Sequence, residues 1–100
     1  MDVTIEKEGS RTLVKLAGRV DTTNAERFQK DLEPLMEDSS PDFDIDCSGM
    51  DYTSSQGLRL FLMLQKSVSS KGGSMVLRNM KPQVKEVFEI TGFANIIRIL

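Results

Sequence analysis

Histidine is missing from all 100 residues of this chain. That absence excludes histidine-based catalytic triads, phosphohistidine relays and imidazole metal sites together. Cysteine occurs once, as Cys47, so there is no internal disulfide and no cysteine-rich zinc site. Long hydrophobic runs are also lacking. The longest unbroken one, residues 60–64, is far short of the roughly 20 residues that span a bilayer. The first eight residues, Met1 to Glu8, contain no apolar core of signal-peptide length. The expectation is a soluble cytoplasmic domain without direct membrane insertion. At 100 residues, with 39% hydrophobic and 28% charged side chains, the chain has the size and mix of one globular domain.

Charge is short in total but unevenly laid out. The net charge is −2, which gives no reason to expect nucleic acid as a partner. Residues 1–50 carry six Lys/Arg against twelve Asp/Glu, and residues 51–100 carry seven against three. Strands from the two halves interleaving in one sheet would dissolve this asymmetry. A basic neighbourhood in the second half, favouring a phosphorylated or nucleotide-bearing partner, is the other reading.

Periodicity supplies the elements. Val3 and Ile5 alternate with polar residues, Gly9-Ser10 reads as a turn, and residues 12–17 form a second strand that Gly18 ends. From Thr23 the period becomes helical, with Ala25, Phe28, Leu32, Leu35 and Met36 on one face. Thr23 with Glu26 has capping-box spacing, and Pro34 predicts a kink or an early end near Glu33. Residues 42–47 alternate acid and apolar, as in a strand with one buried face. Asp42, Asp44 and Asp46 are then about 7 Å apart along the strand, too far to chelate one ion unaided. They read as a solvated face, and Cys47 as packing. Residues 56–70 form the most apolar helix, apolar around enough of its girth to lie between a sheet and another helix. A strand at 74–78, a helix opened by Pro82 and capped by Gly92, and a short strand or packed tail at 96–100 complete the chain. The order β-β-α-β-α-β-α-β predicts a single α/β domain, a mixed sheet of about four to five strands covered by helices.

The informative segment runs from Cys47 to Arg59. A strand ends, small polar residues follow, and a helix begins with its amides toward them. Serine is a good N-cap there, and free amides at a helix start also tolerate a phosphate. No base stands near Ser54 or Ser55: histidine is absent and the nearest lysine in sequence is Lys66. The chain therefore does not read as an enzyme, and nothing in it calls for a cofactor.

The whole chain, residues 2–100, resembles the STAS domain of bacterial anti-sigma factor antagonists. The resemblance begins at Gly18-Arg19-Val20-Asp21-Thr22-Thr23-Asn24-Ala25, continues at Asp46-Cys47-Ser48-Gly49-Met50 and peaks at Tyr52-Thr53-Ser54-Ser55-Gln56-Gly57-Leu58-Arg59. Gly72-Gly73, Pro82-Gln83-Val84, Thr91-Gly92-Phe93 and Ile96-Ile97 are similar to the family's later landmarks. In the better-known form of the signature, the serine two places before the glycine is phosphorylated. Here that serine is Ser55, with Ser54 standing in place of an aspartate and Gln56 in place of Ser or Thr. Ser54 is the competing acceptor. The resemblance implies partner switching. The unphosphorylated protein binds a serine-kinase anti-sigma factor of the histidine-kinase-like ATPase fold, phosphorylation ends that binding, and a PP2C-type phosphatase restores it. The surface implied is Asp21, Thr22 and Thr23 together with Asp51, Ser54, Ser55, Gln56, Gly57, Leu58 and Arg59. The alternative is the same fold as an accessory subunit of a lipid or anion transport system.

Overall fold

The computed structural model describes residues 1–100. Strands β1 (Asp2–Glu8) and β2 (Arg11–Val20) form an antiparallel hairpin. Helix α1 (Ala25–Met36), strand β3 (Asp42–Thr53), helix α2 (Ser55–Ser70), strand β4 (Ser74–Arg78), helix α3 (Pro82–Ile90) and strand β5 (Arg98–Ile99) follow. A single 3-10 turn, Phe93–Asn95, precedes β5. The sheet order is β1-β2-β3-β4-β5, and β2 through β5 run parallel.

The helices cover one face of this sheet. Val14, Leu16 and Val20 of β2, Phe43, Ile45, Cys47 and Met50 of β3, and Met75 and Leu77 of β4 point into a core of 21 buried residues. Phe28 of α1, Phe61 of α2 and Phe88 of α3 join the helices edge to face, with ring centroids 5.6 and 5.5 Å apart. Such pairs add about 0.5–1.5 kcal/mol each beyond their buried area. Helix α2 occupies the middle place, which explains its wide apolar girth. Burial pushes the Cys47 thiol up to about 12, as expected of a packed side chain whose thiolate has no water around it.

The opposite sheet face carries charged and polar side chains of β3 and β4. Asp44 pairs with Arg78 at 2.9 Å and Arg11 at 3.7 Å. Asp42 accepts from Ser74 Oγ at 2.9 Å, and Asp46 accepts from Asn79 Nδ2 at 3.4 Å. The backbone N–H of Ser48, foremost, holds the Asp46 carboxyl below its usual range. Pairing of β3 with β4 thus sets one cation of the second half, Arg78, against a carboxylate of the first, Asp44.

Four sequence expectations need correction. Gly18 does not end β2, which runs to Val20. Its φ of +104°, open to glycine without strain, lets the strand bend between two register shifts against β3 and continue. Strand β3 does not stop at Cys47 but extends to Thr53, since pairing with β2 overrides the loss of alternation after that residue. Pro34 does not end α1 near Glu33. It lies exposed in the last turn, where the helix completes itself to Met36 and the missing N–H leaves only a solvent-side carbonyl unpaired. Finally, α1 begins at Ala25 with Asn24 as N-cap. Thr23 turns its side chain to Asp21 instead, so the Thr23–Glu26 capping box does not form.

Candidate functional site

Two strands end together and set the site. Val20 and Thr53 are register partners at the carboxyl ends of parallel β2 and β3, and the Ser54 N–H donates to the Val20 carbonyl at 2.9 Å. The two strand–helix junctions therefore lie side by side at the end of the sheet where α/β folds bind their ligands. Asp21, Thr22 and Thr23 stand on one of them, and Ser54, Ser55 and Gln56 on the other.

The first junction is a loop held by its own side chains. Asp21 Oδ1 accepts from the Thr23 N–H at 2.9 Å and from the Thr23 hydroxyl. Asn24 Oδ1 accepts from the Asp21 N–H, and its Nδ2 donates to the Arg19 carbonyl, both at 2.8 Å. The Thr23 hydroxyl bond, chiefly, holds the Asp21 carboxyl below its ordinary value, with the Thr23 N–H and Arg19 adding to it. Arg19 also lies over the Tyr52 ring at 5.0 Å, and Asp51 pairs with Lys81. Arg19, Asn24, Tyr52 and Lys81 were not singled out from the sequence. For Asn24 a signal existed, because Asp-x-x-Asn before a helix is turn chemistry. Nothing local points to the Arg19–Tyr52 and Asp51–Lys81 pairs, which join residues about 30 apart.

The second junction has almost no loop. Ser54 is the N-cap of α2, and its Oγ accepts from the Gly57 N–H at 3.3 Å. Ser55 occupies the first helical position, exposed, and Gln56 and Arg59 are exposed beside it. Gly57 and Leu58 turn inward and are buried. A Cβ at Gly57 would overlap Thr53 Oγ1 and Val20 Cγ1, both on buried side chains too short to move aside. Gly57 therefore serves the helix's close approach to the two strand ends, and neither it nor Leu58 offers a side chain to a partner. Their place in the surface expected from the sequence is therefore one of shape, not of side-chain contact.

Between α1 and α2, opening beside Thr22 and Gln56, lies a cleft of about 360 Å³ also lined by Glu26, Gln29, Arg59 and Met63. Its walls mix polar and apolar groups without a convergent set of reactive side chains. No group of three or more His, Cys, Asp or Glu side chains comes together that could hold a metal ion, and no helix is long and apolar enough to cross a membrane. What the site offers chemically is an exposed hydroxyl on a helix's first turn, framed by a polar loop.

The STAS domain family profile matches residues 2–100. The chain belongs to the STAS domain family. It is 31% identical over 99 residues to the anti-sigma-B factor antagonist of Bacillus subtilis, covering 99% of this chain and 90% of that one. Among solved structures it resembles an anti-sigma-factor antagonist (STAS) domain protein from Planctomyces limnophilus, with a TM-score of 0.85, 18% identity and coverage of 99% and 89%. It also resembles the Bacillus cell fate determinant SpoIIAA in its phosphorylated form, with a TM-score of 0.69, 16% identity and coverage of 99% and 91%. In this STAS domain the signature segment forms the second junction, and the family's first-helix segment forms the first.

Proposed function

We propose that this STAS domain is an anti-sigma factor antagonist worked by partner switching. Unphosphorylated, it binds a serine-kinase anti-sigma factor of the histidine-kinase-like ATPase fold through the two junctions. That kinase transfers the γ-phosphoryl group of ATP to Ser55 Oγ, with the hydroxyl proton passing to a base of the kinase and ADP leaving. Binding then ends, and a PP2C-type phosphatase hydrolyses the phosphoester to restore it. The cytoplasm is where such a switch operates. The curated relative's name supports the antagonist role, and the SpoIIAA structure is that of a phosphorylated form.

The observation that carries the choice of acceptor is the division of labour between the two serines. The Ser54 hydroxyl caps α2 and is half-buried, while the Ser55 hydroxyl is exposed and has no hydrogen-bond partner. A phosphate on Ser54 would break the cap. On Ser55 it leaves the cap intact and faces first-turn amides, which favour an anion by about 0.3–1 kcal/mol. In an interface the same added charge of about −1.5 to −2 must be desolvated without matched donors, at a cost of several kcal/mol.

Pulldown from a lysate of the source cells, with wild-type and Ser55→Asp chains as bait, tests this reading. The wild type is expected to retain an ATPase-fold serine kinase, and the variant to lose it. On addition of ATP, the wild-type chain is expected to gain one phosphate on Ser55. Retention of a permease and its transport ATPase instead, or phosphate on Ser54 when Ser55 is replaced by alanine, would overturn it.

A further inference from the structure

The outward face of the first two turns of α2 carries one cation, Arg59. Arg59 lies four residues after Ser55, one turn along the same face. Helical side chains lean toward the helix N-terminus, so Arg59 is placed within reach of the turn that bears Ser55. Both residues are exposed. Arg11, Arg19 and Arg78 are each engaged by a carboxylate within 4 Å, whereas Arg59, like Arg27 of α1 and Arg98 of β5, is in no ion pair. The first turn of α2 carries no acidic residue to compete for it. Arg59 instead lines the cleft between α1 and α2, together with Glu26 and Gln56.

We propose that Arg59 is a positioning residue for the modified site: its guanidinium folds back one helical turn and holds the phosphate on Ser55. This rests on the reading of Ser55 as the acceptor. A planar guanidinium fork matches phosphate oxygens in a way an ammonium does not. Phosphorylation then acts on two parts of the surface at once. It places a dianion on the second junction, and it withdraws a cation from the wall of the cleft beside the first. The phosphate is fixed against the helix rather than left mobile.

Phosphoserine incorporated at position 55 during translation tests the pairing in the full chain with no kinase involved. The readout is the second ionisation of the phosphate, followed by phosphorus NMR against pH. In the wild type this ionisation, ordinarily near 6, is expected at least about 0.3 unit below that of Arg59→Gln, because a neighbouring cation favours the dianion. Arg59→Lys is expected to fall between them, and about 0.5 M salt to shrink the difference. Equal values in wild type and Arg59→Gln would overturn the proposal. A merely structural Arg59 would shift melting and leave this ionisation where it is. Failure of a kinase to modify Ser55 would overturn the functional reading while leaving this result standing, so the two failures are distinguishable.

Discussion

The two helix entrances are neighbours at one end of the sheet, yet they are built in opposite ways. The entrance to α1 is four residues of polar chain, half of them exposed, held by hydrogen bonds among Asp21, Thr23 and Asn24. The entrance to α2 is one residue long, held by the Ser54 cap and by the fit of Gly57 against Val20 and Thr53. The first tolerates change and responds to solvent conditions. The second responds to atoms. The contrast places Ser55, the residue proposed as the switch, at the closely packed entrance without making it part of the support.

The largest effect is expected at the steric entrance. Gly57→Val forces a Cβ, with two methyl groups beyond it, into space already taken by Val20 and Thr53. Overpacking of this kind costs about 3 kcal/mol, or a melting temperature lower by about 12–24 °C for a domain of this size. A thermal melt checks it, and an unchanged midpoint would mean that α2 enters the domain differently. Ser54→Ala comes next. Losing an N-cap costs about 1 kcal/mol, or about 4–8 °C, and Ser54→Asn should recover most of it.

The polar entrance should respond to pH. The folded-state carboxyl of Asp21 is held below 3.8, so its contribution is complete above that value and is lost as pH falls through the lower folded value. A carboxyl titration by NMR should place its midpoint below 3.8 and return it toward 3.8 in Thr23→Val. A midpoint unmoved by Thr23→Val would show that the loop is held by something else. The smallest effect belongs to Ser55→Ala, which should leave stability within about 0.5 kcal/mol, the range of surface substitutions away from special features. If it matched the loss in Ser54→Ala, the two serines would not differ as the structure has them.

Much of this was legible in the sequence, because the signals were local. The switch from period 2 to period 3.6 placed α1, a long apolar stretch placed α2, Pro82 opened α3 as its fixed φ allows, and the Ser54-Ser55-Gln56-Gly57 segment announced a helix start. What could not be read depended on partners far along the chain. The six residues after Cys47 lack alternation, yet they are strand because β2 lies beside them with two register shifts. Gly57 could be read only as part of the implied partner surface, and the position of Val20, 37 residues earlier, shows it to be a close contact. The capping box at Thr23 satisfied a local rule that Asp21 overrode by taking the threonine for itself. In the site, the exposed hydroxyl was legible and the reason to prefer it over its neighbour was not.

The central claim is that modification of Ser55 changes binding far more than folding. Calorimetric titration of the captured kinase with the unmodified chain and with the chain carrying phosphoserine at position 55 measures this directly. The affinity should fall by about 100-fold or more, corresponding to about 2.7 kcal/mol, between two forms that are both folded. Equal affinity for the two forms would contradict the account.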